Sequence, residues 1–155
     1  MKPHPRYAAA HEQDFKTKYP SAYAGGHYFT PVMPDCRKAN GLTQAVVKFL
    51  LWSGCRATRV SSSGRIVKAP ERQASGTVLQ TAKYIPGATR KGAADISSTI
   101  RGRSVMWEVK IGKDRASPEQ LREQELERQA GGEYYFIKSF EEFIELFDGF
   151  LLTLK

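Results

Sequence analysis

Cysteine is scarce in this chain, which excludes a disulfide framework as its organising principle. Cys36 and Cys55 form no CxxC pair and read as ordinary small residues suited to a reduced cytoplasm. All three histidines (His4, His11 and His27) lie in the irregular N-terminal segment, so a zinc site is not expected. No apolar stretch is long enough to span a bilayer, so no membrane partner is expected. The opening MKPHPRYAAAHEQDFK lacks the apolar middle of a secretory signal, and a cytoplasmic location is the expectation. Acids are nearly missing from Cys36 to Lys91, where eleven Lys/Arg stand against the single Glu71. From Ser117 to Lys155 the balance reverses, with four bases and nine acids. A basic half beside an acidic one implies a polyanion-binding side, and nucleic acid is the expected partner.

What is present is a pair of carboxylates at a turn. Ala93–Ile100 and Arg103–Ile111 are both β-patterned and meet at Arg101-Gly102. A tight turn there pairs Ile100 with Arg103, which brings Asp95 opposite Glu108, with Lys110 two residues along the same face. Alternation supports this register: Val105, Trp107, Val109 and Ile111 take one face, Glu108 and Lys110 the other. Carboxylates so placed have Cβ atoms roughly 4.5–5.5 Å apart and destabilise a bare sheet, so a positive group belongs between them. A divalent cation fits that need, with Lys110 beside it.

The rest of the chain reads as one domain with an arm. Residues 1–39 contain several prolines and tyrosines without sustained periodicity, and an extended or partly disordered arm is expected. Residues 40–155 form the domain. Thr43 is the expected cap of a helix from Gln44 to about Ser53, ended by Gly54. Arg56–Ser61 and Arg65–Lys68 read as strands joined at Ser62-Ser63-Gly64, followed by a loop with a small strand. After the hairpin come a charged helix over Pro118–Gln129, a strand over Glu133–Lys138, and a last helix from Ser139 with a stripe of phenylalanines. The expected fold is α/β, a mixed sheet flanked by helices in the order α-β-β-β-β-α-β-α.

Asp95 and Glu108 would hold Mg²⁺ (or Mn²⁺) through oxygen, with the Val109 carbonyl as a third ligand. Such an ion polarises a phosphodiester and acidifies a water, and Lys110 would orient that water or stabilise growing charge. Lys113 and Arg115, just past the active strand, are candidate phosphate contacts. Arg56, Arg59, Arg65 and Lys91, from the basic half, are candidate DNA contacts. Ser117-Pro118-Glu119-Gln120 is a capping box, so Gln120 either caps its helix or reaches the site.

The segment GAADISSTIRGRSVMWEVKIGKDRASPEQ resembles the PD-(D/E)XK nuclease superfamily and, within it, the VRR-NUC family. The likeness lies in the order Gly-x-x-Asp, hairpin, Glu-x-Lys, Gln-starting helix, Gly-Gly, strand, and it extends from about Asn40 to Phe147. It implies a restriction-endonuclease-like core with Asp95, Glu108, Lys110 and Gln120 as catalytic residues, acting on structured or branched DNA in replication, recombination or repair. It also suits a homodimer, as do the apolar residues of the last helix. One departure stands out. Many members carry a Glu on the first helix, where NGLTQAVVKF offers only Asn40, Thr43 and Gln44. Gln44 is the polar group that would hold a water there. The missing acid favours the alternative of a catalytically silent DNA-binding module; a basic protein that docks an acidic partner is the other alternative.

Overall fold

The computed structural model describes residues 2–60, 65–72, 78–85 and 91–154, with side chains in 2–60 and 91–154. Among the described residues eleven elements follow one another: α1 (Pro5–Lys18), α2 (Pro20–Ala24), α3 (Ala39–Trp52), β1 (Arg56–Arg59), β2 (Arg65–Arg72), β3 (Val78–Ile85), β4 (Ile96–Ile100), β5 (Arg103–Val109), α4 (Pro118–Gln129), β6 (Glu133–Ile137) and α5 (Phe140–Thr153). The class is α/β with a mixed four-stranded sheet in the order β1-β4-β5-β6.

The central hairpin forms as its turn residues dictate. Arg101 and Gly102 have φ of 48° and 83°. Two left-handed residues in a two-residue loop match the right-handed twist of the strands they join. The resulting register pairs Ile100 with Arg103 and Ile96 with Trp107, as the alternation requires. β1 adds antiparallel to β4, and β6 adds parallel to β5 after the α4 crossover.

The apolar face of this sheet is the core. Ile96, Ile100, Val105, Trp107, Val109 and Ile137 are buried against α3 and α5. Trp107 meets Phe143 at 4.9 Å between ring centroids, and Phe49 of α3 meets Phe143 edge-on at 5.5 Å. One buried polar residue serves this face: Ser98 accepts from the Trp107 indole N–H at 3.0 Å and donates to the Val105 carbonyl at 2.6 Å. The phenylalanine stripe of α5 (Phe140, Phe143, Phe147 and Phe150) is consumed in this core.

Four expectations need correction. The segment read as an extended arm contains α1, started by Pro5 and by His4, whose Nδ1 accepts from Arg6 N–H. Tyr7 anchors it in the core, edge-on to Trp52 at 4.9 Å and to Phe140 at 5.7 Å. Ala10 also packs against the core and His11 lies edge-on to Trp52 at 4.6 Å, but alanine and histidine carry little apolar signal, which is why no helical stripe is visible in the sequence. Second, α3 starts at Ala39, and Thr43 is buried within it, its hydroxyl donating to the Ala39 carbonyl at 2.8 Å. Third, β2 pairs with β3 as a separate two-stranded sheet instead of turning back on β1. Pro70 lies in the middle of β2 and lacks the N–H that an inner strand needs, whereas a ribbon strand has a free edge. Fourth, among the described residues five strands precede α4, one more than the order α-β-β-β-β-α-β-α counts, because the small strand expected in the loop is the full-length β3. Ser62-Ser63-Gly64 lies outside the described residues.

Candidate active site

Asp95 immediately precedes β4, and Glu108 and Lys110 stand at the end of β5 and just beyond it. The two carboxylates face each other and are stapled to each other's backbone. Asp95 N–H donates to Glu108 Oε2 at 3.1 Å, and Val109 N–H donates to Asp95 Oδ2 at 3.0 Å. The carbonyl of Asp95 in turn accepts from Val60 N–H at 2.8 Å, which ties the site to the end of β1.

Glu108 and Lys110 are each only 6% exposed. Lys110 Nζ lies 3.2 Å from Glu108 Oε1 and 3.4 Å from Asp114 Oδ2. Burial raises the Glu108 pKa above its ordinary value and the Asp95 charge raises it further, while Lys110 and the Asp95 N–H oppose them. Burying a carboxylate beside a like charge is unfavourable unless a cation compensates, and here Lys110 compensates in part. Asp114 escaped the sequence reading; its signal is an acid four residues beyond the lysine in a short loop.

Gln120 does both things asked of it. Its Oε1 accepts from Ser117 N–H at 2.9 Å, closing the capping box of α4. Its Nε2 donates to Glu108 Oε1. One planar amide has an acceptor and a donor end, so a single rotamer serves the helix start and the carboxylate together.

The small residues ahead of Asp95 let α4 approach. Gly92 has φ of 85°, and a Cβ there would lie 2.6 Å from the Glu119 carbonyl oxygen. Its own carbonyl accepts from the Tyr134 hydroxyl at 3.2 Å. Tyr134 is buried on the carboxylate face, and its pKa is pushed well up by burial, then by Glu108 and Asp95. Its hydroxyl thereby fixes the loop that carries Asp95. Gln124 completes the seam, donating to the Tyr134 carbonyl at 2.8 Å.

The donor set suits a hard divalent cation. Asp95 and Glu108 offer carboxylate oxygens, and the Val109 carbonyl follows in sequence. Glu108 Oε1 is saturated by Lys110 and Gln120, which leaves Glu108 Oε2 and both Asp95 oxygens with lone pairs to give. Among the described residues no group of three His, Cys, Asp or Glu that could hold a metal occurs. Gln44 is exposed on α3, and among the described contacts it has no hydrogen bond to either carboxylate.

The expected phosphate contacts divide. Arg56 is exposed and pairs with Thr99, which puts it on the sheet face that carries Asp95. Arg59 pairs with Ile96, on the opposite face, and donates to Asn40 Oδ1 in the first turn of α3, so it does not stand beside the carboxylates. Lys91 is exposed next to Gly92, with Glu119 nearby, and Lys113 and Arg115 are exposed in the loop after β5. The side chain of Arg65 lies outside the described residues. A cleft of about 660 Å³ opens elsewhere, between the chain's first residues, Met33–Arg37 and the start of α5.

No protein-family model, curated protein or solved structure matches this chain. Among the described residues no helix is long and apolar enough to cross a membrane.

Proposed function

We propose that this protein is a divalent-metal-dependent DNA nuclease that hydrolyses phosphodiesters in structured or branched DNA. The observation that carries this reading is the cross-bonded Asp95–Glu108 pair with the buried Lys110 against it. A like-charge pair with one member, Glu108, buried is a poor structural device and a good cation site. The resemblance to VRR-NUC nucleases adds the same residues in the same order, and the succession of hairpin, Gln-starting helix, Gly-Gly and strand supports a restriction-endonuclease-like core.

Mg²⁺ or Mn²⁺, when bound, supplies the charge that polarises a phosphodiester and acidifies a water. The chain's own residues do the rest. Asp95 and Glu108 would give the oxygen ligands, and Gln120 fixes the rotation of Glu108 through Oε1. Lys110, held between Glu108 and Asp114, brings an ammonium to the place where negative charge grows on the phosphate. Arg56, Lys91, Lys113 and Arg115 are exposed to solvent, where they can meet the phosphate backbone.

A second reading is a DNA-binding module without cleavage, favoured by the two-carboxylate ligand set and by the exposed amide Gln44 where an acid was expected. A cleavage assay on duplex, flap, junction and single-stranded DNA with Mg²⁺ and Mn²⁺ separates the two. Metal-dependent cleavage that EDTA abolishes supports the nuclease. Salt-sensitive binding with no cleavage in either metal supports the module, and neither binding nor cleavage sinks both.

A further inference from the structure

We infer that the β2–β3 ribbon is a duplex-engaging arm of the carboxylate site, entering a DNA groove beside the strand to be cut. This rests on the reading of the site as one that acts on DNA. The ribbon is a sheet of its own, eight residue pairs long from Arg65–Ile85 to Arg72–Val78. Both ends of the chain that forms it return to Asp95. On one side Val60 N–H donates to the Asp95 carbonyl; on the other, Gly92 is held by the Tyr134 hydroxyl three residues before Asp95. Whatever the ribbon grips is thereby tethered to the carboxylates.

Its register sorts its charges. Lys68 and Arg72 share one face with Gln80 and Tyr84, and that face has no acid. Arg65 and Lys83 share the other face with Glu71. Lys68 and Arg72 are four residues apart, about 13 Å along a strand. The whole ribbon is about 27 Å long, the rise of roughly eight base pairs. A two-stranded ribbon fits the major groove, which is about 12 Å wide, and its Lys and Arg would release counterions from the flanking phosphates. Such a ribbon standing alone is marginally stable, so a docked duplex should also order it.

The test uses the full chain in EDTA, where binding is read without cleavage, on a fluorescent duplex and on its single strand. The double variant Lys68→Ala/Arg72→Ala is expected to weaken duplex binding at least about tenfold and to flatten the salt dependence by about 2 log units per log unit of salt. Glu71→Gln should not weaken it, and Lys68→Arg/Arg72→Lys should restore it, which separates charge from folding. Hydrogen exchange across 65–72 and 78–85 should slow when duplex is added. Unchanged affinity and salt slope in the double variant, an equal loss on the single strand, or no slowing of exchange would each overturn the inference. Its failure is distinct from that of the nuclease reading: a ribbon that does not bind leaves metal-dependent cleavage in place, and a chain that does not cleave can still bind duplex through the ribbon.

Discussion

Glu108 is the residue on which the site turns, because its two oxygens receive Lys110, Gln120 and the Asp95 N–H while Asp95 itself repels it. Asp95→Asn keeps an acceptor for Val109 N–H and removes the repulsion. It should stabilise the metal-free protein by about 0.2–1 kcal/mol in denaturant titrations with EDTA, and abolish cleavage. The pH dependence follows from the raised Glu108 pKa. Below the unfolded-state value both states hold the proton and the stability is full; as pH rises past it the unfolded chain ionises first. The metal-free protein should therefore lose stability as pH rises through the window between the unfolded and the raised folded value. Mg²⁺ binding runs the opposite way and should weaken as pH falls through the raised Glu108 value. Titration calorimetry over pH checks it. At Gln120 the two roles come apart by substitution. Gln120→Ala should lose about 0.5–2 kcal/mol with its cap as well as activity, whereas Gln120→Glu should keep the capping box and still lose activity by setting a third carboxylate against Glu108.

At the scale of elements, the hairpin was legible because a two-residue turn and strict alternation fix one register, and Ile96 does meet Trp107. The position of Gln120 over Glu108 was not, since sequence spacing says nothing about where α4 lies over the sheet. α4 buries no residue of its own, and its seam is polar and close-packed: Gln120 on Glu108, Gln124 on the Tyr134 carbonyl, and the Gly92 backbone against Glu119. Gly92→Ala would force a Cβ into the Glu119 carbonyl at a φ that side chains disfavour. It should lower stability by at least about 1–2 kcal/mol and reduce cleavage more than DNA binding, since it moves Asp95. α1 was illegible for a different reason. Tyr7 is its one buried residue, and Ala10 and His11, which share its face, carry too little apolar signal to mark a stripe. Tyr7→Ala should cost about 3–5 kcal/mol in unfolding free energy. Tyr7→Phe should be neutral or stabilise by up to about 1 kcal/mol, because the buried hydroxyl makes no hydrogen bond within the described residues.

Across the whole molecule, charge and chemistry fall together. The basic half of the sequence supplies β1, β2 and β3, and both ends of the β2–β3 segment return to Asp95. The acidic half supplies α4 and α5, which close the carboxylate face and the core respectively. The charge segregation was legible from the chain alone; its tie to Asp95 needed the sheet order, in which β1 joins β4 across the ribbon. The central claim is that Asp95 and Lys110 work with a divalent cation on DNA. Its most direct measurement is single-turnover cleavage of junction and flap DNA in Mg²⁺ and Mn²⁺ by the wild type, Asp95→Ala and Lys110→Ala, each paired with DNA binding in EDTA. The account predicts metal-dependent cleavage by the wild type, its loss in both variants, and DNA binding retained in all three. Full cleavage by either variant, or wild-type cleavage in EDTA, would contradict it.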